Sequence, residues 1–209
     1  MSRPSRPILL YTHPLSGHAH RVALMLSLLG LPFERIEIDL MRGEQKAPAF
    51  LAKNPFGQIP VIEDDDVTLA DSNAILAYLA LRYDSSETWL PREPVASARV
   101  QQWLSVAAGP LAAGPSSARL VVLLGAKLDH ERCKTVAQQL YTVVDAHLAS
   151  RRFLVDDAPT IADVALYSYT VLAPEGGISL EPYANVRAWL ARIEALPGFL
   201  PMQRTKVAA

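Results

Sequence analysis

The chain is predicted to consist of a small α/β sheet layer followed by an all-helical part. Strand-like and helix-like patterns alternate up to residue 83, and a polar, proline-bearing segment follows. Almost every later segment has helical periodicity. The predicted domains are therefore residues 1–83 and 94–209, joined by a linker at 84–93.

The elements of the first part follow from its apolar pattern. A short apolar run gives the first strand, and Val22, Met25, Leu26 and Leu29 then recur at the spacing of one helix face. Gly30 is suited to end that helix. The order β-α-β-α-β-β-α implies a sheet with helices packed against it. The predicted elements are a strand at 8–12, a helix at 18–29, a strand at 33–38, a short helix at 44–53, strands at 59–62 and 67–69, and a helix from Asp71 or Ser72 to 83.

The second part is predicted to contain only helices. The glycine–proline pairs at 109–110 and 114–115 should interrupt the first of them. Thr160 and Asp163 have the spacing of a capping box, and Trp103 is expected to pack in a core or domain interface. The predicted helices are at 94–124, 129–149, 160–172 and 182–196.

Composition excludes several classes of function. The 209-residue chain has a formal net charge of −1, so it has no basic field to hold nucleic acid or an anionic membrane. No stretch approaches the roughly 20 apolar residues of a membrane span. Because Cys133 is the only cysteine, an intramolecular disulfide and dithiol exchange are both excluded, and a cytoplasmic location is expected.

Two polar clusters are not interpreted as metal sites. His13, His18 and His20 have no carboxylate or thiolate nearby in the sequence, so no metal ligation is predicted. The acidic run Glu63–Asp66 lies between two apolar strands and is expected to form a solvated hairpin turn.

The first candidate site residue lies where the first strand turns into the first helix. Ser16 is at or just before the helix N-terminus, where free backbone N–H groups and the helix dipole favour negative charge. Its hydroxyl can donate to a bound thiolate. The alternative is that Ser16 only caps the helix.

The second candidate stretch surrounds Pro60, which opens a strand although proline cannot donate to a ladder. If the Ile59–Pro60 bond is cis, the turn exposes the backbone of Ile59, and an extended peptide ligand can pair with it. Gln58 would then lie beside the polar end of that ligand. The alternative is a trans proline in an edge turn.

The third candidate stretch is another strand-to-helix turn. The N–H and hydroxyl of Ser72 can hold a carboxylate at the helix start, and Asp71 can pair with a ligand ammonium. Together they would bind an α-amino-acid head group by both charges. The alternative is a plain N-cap.

These three stretches, in this order, resemble the glutathione transferase family, in particular its serine-type phi, tau and zeta classes and their bacterial relatives. The segment KNPFGQIPVIEDDDVTLADSNAI is similar to the phi-class glutathione site. The resemblance implies a thioredoxin-like first domain, an all-α second domain and a cis Pro60. It also implies that Ile59 contacts the cysteinyl backbone of glutathione, and that Asp71 and Ser72 contact its γ-glutamyl group.

The resemblance extends to the rest of the site. Gln45 and Lys46 stand where the phi class usually has His-Lys contacting the glycyl carboxylate, so Lys46 matches and Gln45 departs from the pattern. Ser16 has a spacing similar to that of the active serine of tau and zeta sequences. His18 is in the same turn and can also reach the sulfur.

The activity implied by the resemblance is conjugation of the glutathione thiolate to a hydrophobic electrophile, with glutathione as co-substrate and no metal. A role in detoxification and a homodimer are implied as well. Two alternatives remain open at this point. One is a glutathione-dependent reductase of disulfides or peroxides, and the other is a non-catalytic binding or interaction module with the same fold.

Overall fold

The computed structural model describes residues 3–205 and divides the chain into two compact units. The first unit extends to Leu90 and includes the late segment Leu196–Gln203. The second comprises Pro91–Ala195 and continues from Arg204. The boundary between Leu90 and Pro91 falls within the linker predicted at 84–93.

The first unit is built around a four-stranded sheet with the order β2-β1-β3-β4. β1 pairs parallel with β2 and antiparallel with β3, and β3 pairs antiparallel with β4. The predicted element order is confirmed. The elements are β1 (Ile8–Thr12), α1 (Gly17–Leu28), β2 (Phe33–Glu37), a 3-10 turn (Glu44–Lys46), α2 (Pro48–Leu51), β3 (Val61–Asp64), β4 (Val67–Ala70) and α3 (Ser72–Tyr83).

Two predicted elements differ because of proline. The short helix predicted at 44–53 is split, since Pro48 lacks an N–H and begins a separate helix at its first position. β3 begins at Val61 rather than at Ile59. Pro60 cannot donate to the ladder, so Ile59 and Pro60 lie outside the sheet.

The acidic turn is less solvated than its composition indicates. Asp64, predicted to lie in a solvated turn, is 1% exposed and accepts hydrogen bonds from the hydroxyls of Tyr78 and Tyr83, both at 2.7 Å. Both tyrosines come from α3, which packs beside this end of the hairpin. The carboxylate therefore connects the hairpin to α3, and that part of the prediction was wrong.

The late segment Leu196–Gln203 is hydrogen-bonded to α1. The Ser27 hydroxyl donates to the carbonyl of Gly198 at 2.6 Å, and Nε2 of His20 lies 2.9 Å from the carbonyl of Leu200. Gly198 has a φ of +82°, and a Cβ built there would lie 2.7 Å from the Ser27 carbonyl oxygen. Glycine is therefore required for this close approach.

The second unit is helical, as predicted. The first predicted helix is interrupted at the glycine–proline pairs, where a π-helical turn replaces regular α-helix. The predicted capping box of Thr160 and Asp163 is present, and the buried Asp163 also accepts from the indole N–H of Trp189 at 2.8 Å. The elements are α4 (Pro94–Ala108), the π turn (Ala112–Ser116), α5 (Ser117–Leu124), α6 (His130–Leu148), α7 (Ile161–Val171), a 3-10 turn (Ala173–Gly176) and α8 (Ala184–Glu194).

One helical stretch, Pro94–Leu124, is long and apolar enough to cross a membrane by length and composition alone. A core helix of a water-soluble protein has the same properties. In this unit Val100, Leu104 and Ala107 are buried, and Trp103 is 8% exposed. The packing role predicted for Trp103 is thus confirmed within the helical unit.

The π turn brings Gly114 against α6. A Cβ built on Gly114 would lie 2.9 Å from the backbone nitrogen of Ala137 and 3.1 Å from its Cα. We expect Gly114→Ala to lower the free energy of unfolding by about 2 kcal/mol, because the helices must separate to admit the methyl group. Denaturant unfolding would measure this loss, and Ala113→Val on the exposed side of the same turn is the control. Equal effects of both variants would contradict the packing argument.

Candidate functional site

A cavity of about 750 Å³ in the first unit collects most of the residues singled out in the sequence. This volume is within the range of small-molecule sites. The three stretches meet here because the starts of α1 and α3 and the entry to β3 lie at one end of the sheet. The predicted residues on its wall are His18, Gln45, Gln58, Ile59, Pro60, Asp71 and Ser72.

Two predicted residues lie beside this cavity rather than on its wall. Lys46 donates from Nζ to the carbonyl of Phe56 at 3.0 Å, and Phe56 itself lines the cavity. Ser16 lines a smaller depression of about 240 Å³, also formed by His13, His20 and Pro201. The structure thus places Ser16 next to the crevice and His18 on its wall.

Ser16 is the N-cap of α1. Its Oγ accepts from the backbone N–H of Ala19 at 3.2 Å, and its carbonyl accepts from His20 N at 2.9 Å. A hydroxyl that accepts one hydrogen bond keeps its proton for another acceptor. Ser16 can therefore cap the helix and donate to a ligand at the same time, so the two interpretations of this residue are compatible.

Asp71 is the N-cap of α3 and has an unusual backbone conformation, with φ of 71°. Its Oδ1 accepts from the N–H groups of Asn73 at 3.0 Å and Ala74 at 2.9 Å. Positive φ is uncommon for residues other than glycine and costs about 1–3 kcal/mol. Because the cap uses Oδ1, Oδ2 on this exposed side chain is available to a cationic ligand group.

The bond between Ile59 and Pro60 is cis, which confirms the prediction drawn from the resemblance. Asn54, which is 4% exposed, shapes the approach to this bond. Its Nδ2 donates to the carbonyl of Gln58 at 2.7 Å, and its Oδ1 accepts from Phe56 N at 3.1 Å. Asn54 was not predicted from the sequence to have a role of its own. The structure shows that its side chain holds the turn together.

Arg21, which was not predicted from the sequence as a site residue, is 1% exposed. Its Nη1 lies 3.1 Å from Nδ1 of His18 and 3.2 Å from Oγ of Ser72, so it connects α1 to the start of α3. The sequence did carry a signal of this buried charge, because Arg21 stands directly before Val22 within the apolar stretch of α1. Arginine is almost never fully buried unless it is paired.

Lys53 adds a cation to the crevice wall. Its ammonium pairs with the carboxylate of Glu63 and lies 5.1 Å from the ring centre of Tyr11, whose hydroxyl donates to Glu63 at 2.9 Å. The hydrogen bond with Lys53 lowers the pKa of Glu63, and the same bond raises the pKa of Lys53. Within residues 3–205, no group of three or more His, Cys, Asp or Glu residues is arranged to hold a metal ion.

Two histidines of α1 are held neutral. Burial, followed by the charge of Arg21, lowers the pKa of His18 from 6.5 to about 3. Burial also lowers the pKa of His20 from 6.5 to about 4, against the opposing effect of its hydrogen bond with Leu200. In the unfolded chain both side chains would take up a proton near pH 6.5, whereas in the folded chain they do not.

The fold should therefore lose stability as the pH falls below 6.5, since the unfolded state then binds more protons than the folded state. Between pH 7 and pH 5.5 we expect a loss of about 1 kcal/mol for each of the two histidines. Urea unfolding at several pH values would measure it. In the His20→Gln variant the slope should be about half as steep, and an unchanged slope would contradict a neutral, buried His20.

Comparison with protein-family models matches both units of the chain. Residues 6–81 match the N-terminal domain of glutathione S-transferases, and residues 125–197 match the C-terminal domain of the same family. The first match contains every residue that lines the crevice.

Individual relatives agree with these matches. The chain is 38% identical over 205 residues to glutathione S-transferase 3 of Zea mays, with 92% of this chain and 91% of the relative covered. A glutathione S-transferase crystal structure from Pseudomonas fluorescens superimposes with a TM-score of 0.89 at 35% identity, covering 94% of this chain and 99% of that one. A glutathione transferase homologue from Drosophila mojavensis, solved with bound glutathione, has a TM-score of 0.82 at 30% identity and covers 91% and 89%.

Proposed function

Because the chain belongs to the glutathione S-transferase family and is a glutathione transferase, we propose that it binds glutathione extended along the crevice of its first domain and transfers the sulfur to a hydrophobic electrophile. The observation that carries this proposal is the convergence of three separate chain segments on one cavity of about 750 Å³. Each segment supplies a group suited to a different part of the tripeptide.

The γ-glutamyl end binds at the start of α3. The free Oδ2 of Asp71 pairs with the ligand ammonium, and the N–H and hydroxyl of Ser72 receive the α-carboxylate. The start of a helix is a suitable place for an anion because its first N–H groups have no partner within the helix. The strained backbone of Asp71, with φ of 71°, is consistent with a functional position.

The rest of the tripeptide follows the entry to β3. Ile59 lies beyond the ladder, so its backbone is available to pair with the cysteinyl residue, next to the cis bond to Pro60. Gln58 lies beside it on the same wall. Gln45 and Lys46 receive the glycyl carboxylate, for which Lys46 supplies a positive charge beside the cavity.

Ser16 acts on the sulfur. A free thiol with a pKa near 8.5 is only about 3% ionised at pH 7, and a pKa lowered by about two makes roughly three quarters of it thiolate. The hydroxyl of Ser16 and the N-terminus of α1 both favour the negative charge. The thiol proton passes to solvent, and the thiolate attacks the electrophilic carbon. A leaving group then departs with the displaced electron pair, a strained ring opens, or, in an isothiocyanate, the electron pair of the C=N bond moves to nitrogen, which takes up a proton.

The proposal is tested by binding and turnover together. Calorimetry should show glutathione binding, and the protein should accelerate conjugation of aryl halides, epoxides or isothiocyanates. Glutathione with its glycyl carboxylate blocked as an ester is the control ligand, because it keeps the thiol but lacks the glycyl anion. Reduction of peroxides or mixed disulfides without any conjugation would contradict transfer to carbon, and binding without turnover of any substrate would contradict catalysis.

Members of this family typically dimerise, and a homodimer is part of the proposal. The second unit has an apolar groove of about 540 Å³ between α4 and α6, lined in part by Trp103, Val106, Leu140 and Val143. Val143 is 64% exposed, which suits a surface covered by a second copy. Sedimentation should give twice the 22.8 kDa mass of one chain, and a single-chain mass would overturn this point. Detoxification of electrophiles in the cytoplasm is the proposed setting, consistent with the single cysteine.

A further inference from the structure

One side of the His18 ring faces the guanidinium of Arg21, which can only donate hydrogen bonds. Its Nδ1 lies 3.1 Å from Nη1 of Arg21 and 3.4 Å from Oγ of Ser72. Arg21 and Ser72 are 1% and 4% exposed, so both contacts are shielded from water. These three side chains join the start of α1, which carries Ser16, to the start of α3.

The chemistry of these contacts determines the protonation of the ring. A guanidinium has only donors, so the nitrogen that faces Arg21 must be the acceptor. The same burial and positive charge keep the imidazole neutral, with a pKa of about 3. A neutral imidazole carries one proton, and that proton must be on Nε2. In the Nδ1–H tautomer, two N–H donors would face each other and no hydrogen bond to Arg21 could form.

We propose that Arg21 is a positioning residue that fixes His18 as the Nε2–H tautomer, so that His18 donates a second hydrogen bond, beside that of Ser16, to the sulfur of bound glutathione. This inference rests on the proposed function. His18 lines the crevice together with Ile59 and Ser72, the residues assigned to the cysteinyl and γ-glutamyl groups. Without Arg21, Nε2 could become a lone-pair acceptor, which repels a thiolate.

The tautomer is measurable in the unmodified protein. Long-range proton–nitrogen NMR correlations of nitrogen-15-labelled protein distinguish the two ring nitrogens, and the spectrum of His18→Gln identifies the signals of His18. We expect a single Nε2–H form at neutral pH, both free and with glutathione. A predominant Nδ1–H form, or an imidazolium, would overturn the inference whether or not any variant folds.

Variants then separate positioning from folding. Arg21→Met should give a mixture of tautomers, and Arg21→Lys, which keeps a donor, should restore part of the Nε2–H form. His18→Leu should raise the thiol pKa of bound glutathione by about one, and His18→Gln, whose amide N–H reaches a similar position, should raise it less. The ultraviolet absorbance of the thiolate during a pH titration measures this pKa.

The two proposals fail differently. If the wild-type protein does not bind glutathione in calorimetry, the proposed function is wrong. If it binds glutathione and conjugates electrophiles, but the thiol pKa in His18→Leu equals that of the wild type, only the role of His18 and Arg21 is wrong. A His18→Leu variant that loses glutathione affinity while its thiol pKa is unchanged would also contradict the inference, since His18 would then act in binding.

Discussion

Replacing Ser16 with alanine is expected to slow conjugation at pH 7 by roughly 3- to 25-fold while leaving glutathione affinity nearly unchanged. A hydrogen bond to a charged acceptor contributes about 1.5–3 kcal/mol, so its loss raises the thiol pKa by about one to two. The thiolate fraction at pH 7 then falls from roughly three quarters to between about 3% and 25%. The rate should recover as the pH rises above the new thiol pKa, which a pH–rate profile would show.

Two matched variants separate the donor from the helix cap. Ser16→Thr keeps a hydroxyl at the N-cap and should retain most of the activity, whereas Ser16→Gly keeps a tolerable cap without a hydroxyl and should resemble alanine. Ser27→Ala is the control on the same helix. It removes a hydroxyl that donates to the Gly198 carbonyl, and it should leave the thiol pKa unchanged. If Ser16→Ala abolishes glutathione binding and leaves the pKa unaltered, the assigned role is wrong.

The Asp71→Asn variant should weaken glutathione binding by about 10- to 50-fold with little loss of stability. Asparagine keeps an N-cap acceptor and tolerates the φ of 71°, so the structural functions of the residue remain while its charge is removed. The expected loss corresponds to one charge-assisted hydrogen bond to the ligand ammonium. Isothermal calorimetry measures the dissociation constant, and thermal unfolding checks the cap.

The control for Asp71 lies in the helical domain. Asp129 caps α6 in the same way, with its Oδ1 accepting from Arg132 N at 3.0 Å. Asp129→Asn should leave glutathione affinity unchanged. A dissociation constant in Asp71→Asn equal to that of the wild type would remove Asp71 from the site, and an equal loss in both variants would indicate a general effect of capping.

Features set by neighbouring residues were predictable from the sequence. The caps at Ser16, Asp71 and Thr160 and the break before Pro115 depend on residues a few positions apart, and all four occur in the structure. The strand and helix order likewise follows from local periodicity. The cis bond at Pro60 required the family resemblance, because isolated X–Pro bonds are mostly trans.

Features set by distant contacts were not predictable. Asp64 looks like part of a solvated turn until two hydroxyls from α3 reach it. Arg21 stands out as a charge within an apolar helix stretch, but its partner Ser72, 51 positions away, cannot be identified until the fold places it beside Arg21. The placement of Ser16 and His18 on two depressions depends on how β1 turns into α1, because Ser16 is the extended N-cap residue and His18 lies in the first turn of the helix.

The binding of Leu196–Gln203 to α1 has a consequence for synthesis of the chain. The carbonyls of Gly198 and Leu200 bond to Ser27 and His20, so residues synthesised 171 and 180 positions later complete the packing of α1. Domains that are contiguous in sequence can fold as soon as they leave the ribosome, N-terminal first. Here the first unit reaches its final packing only after Leu200 has left the ribosome, so residues 91–195 of the helical unit are synthesised before the first unit is complete.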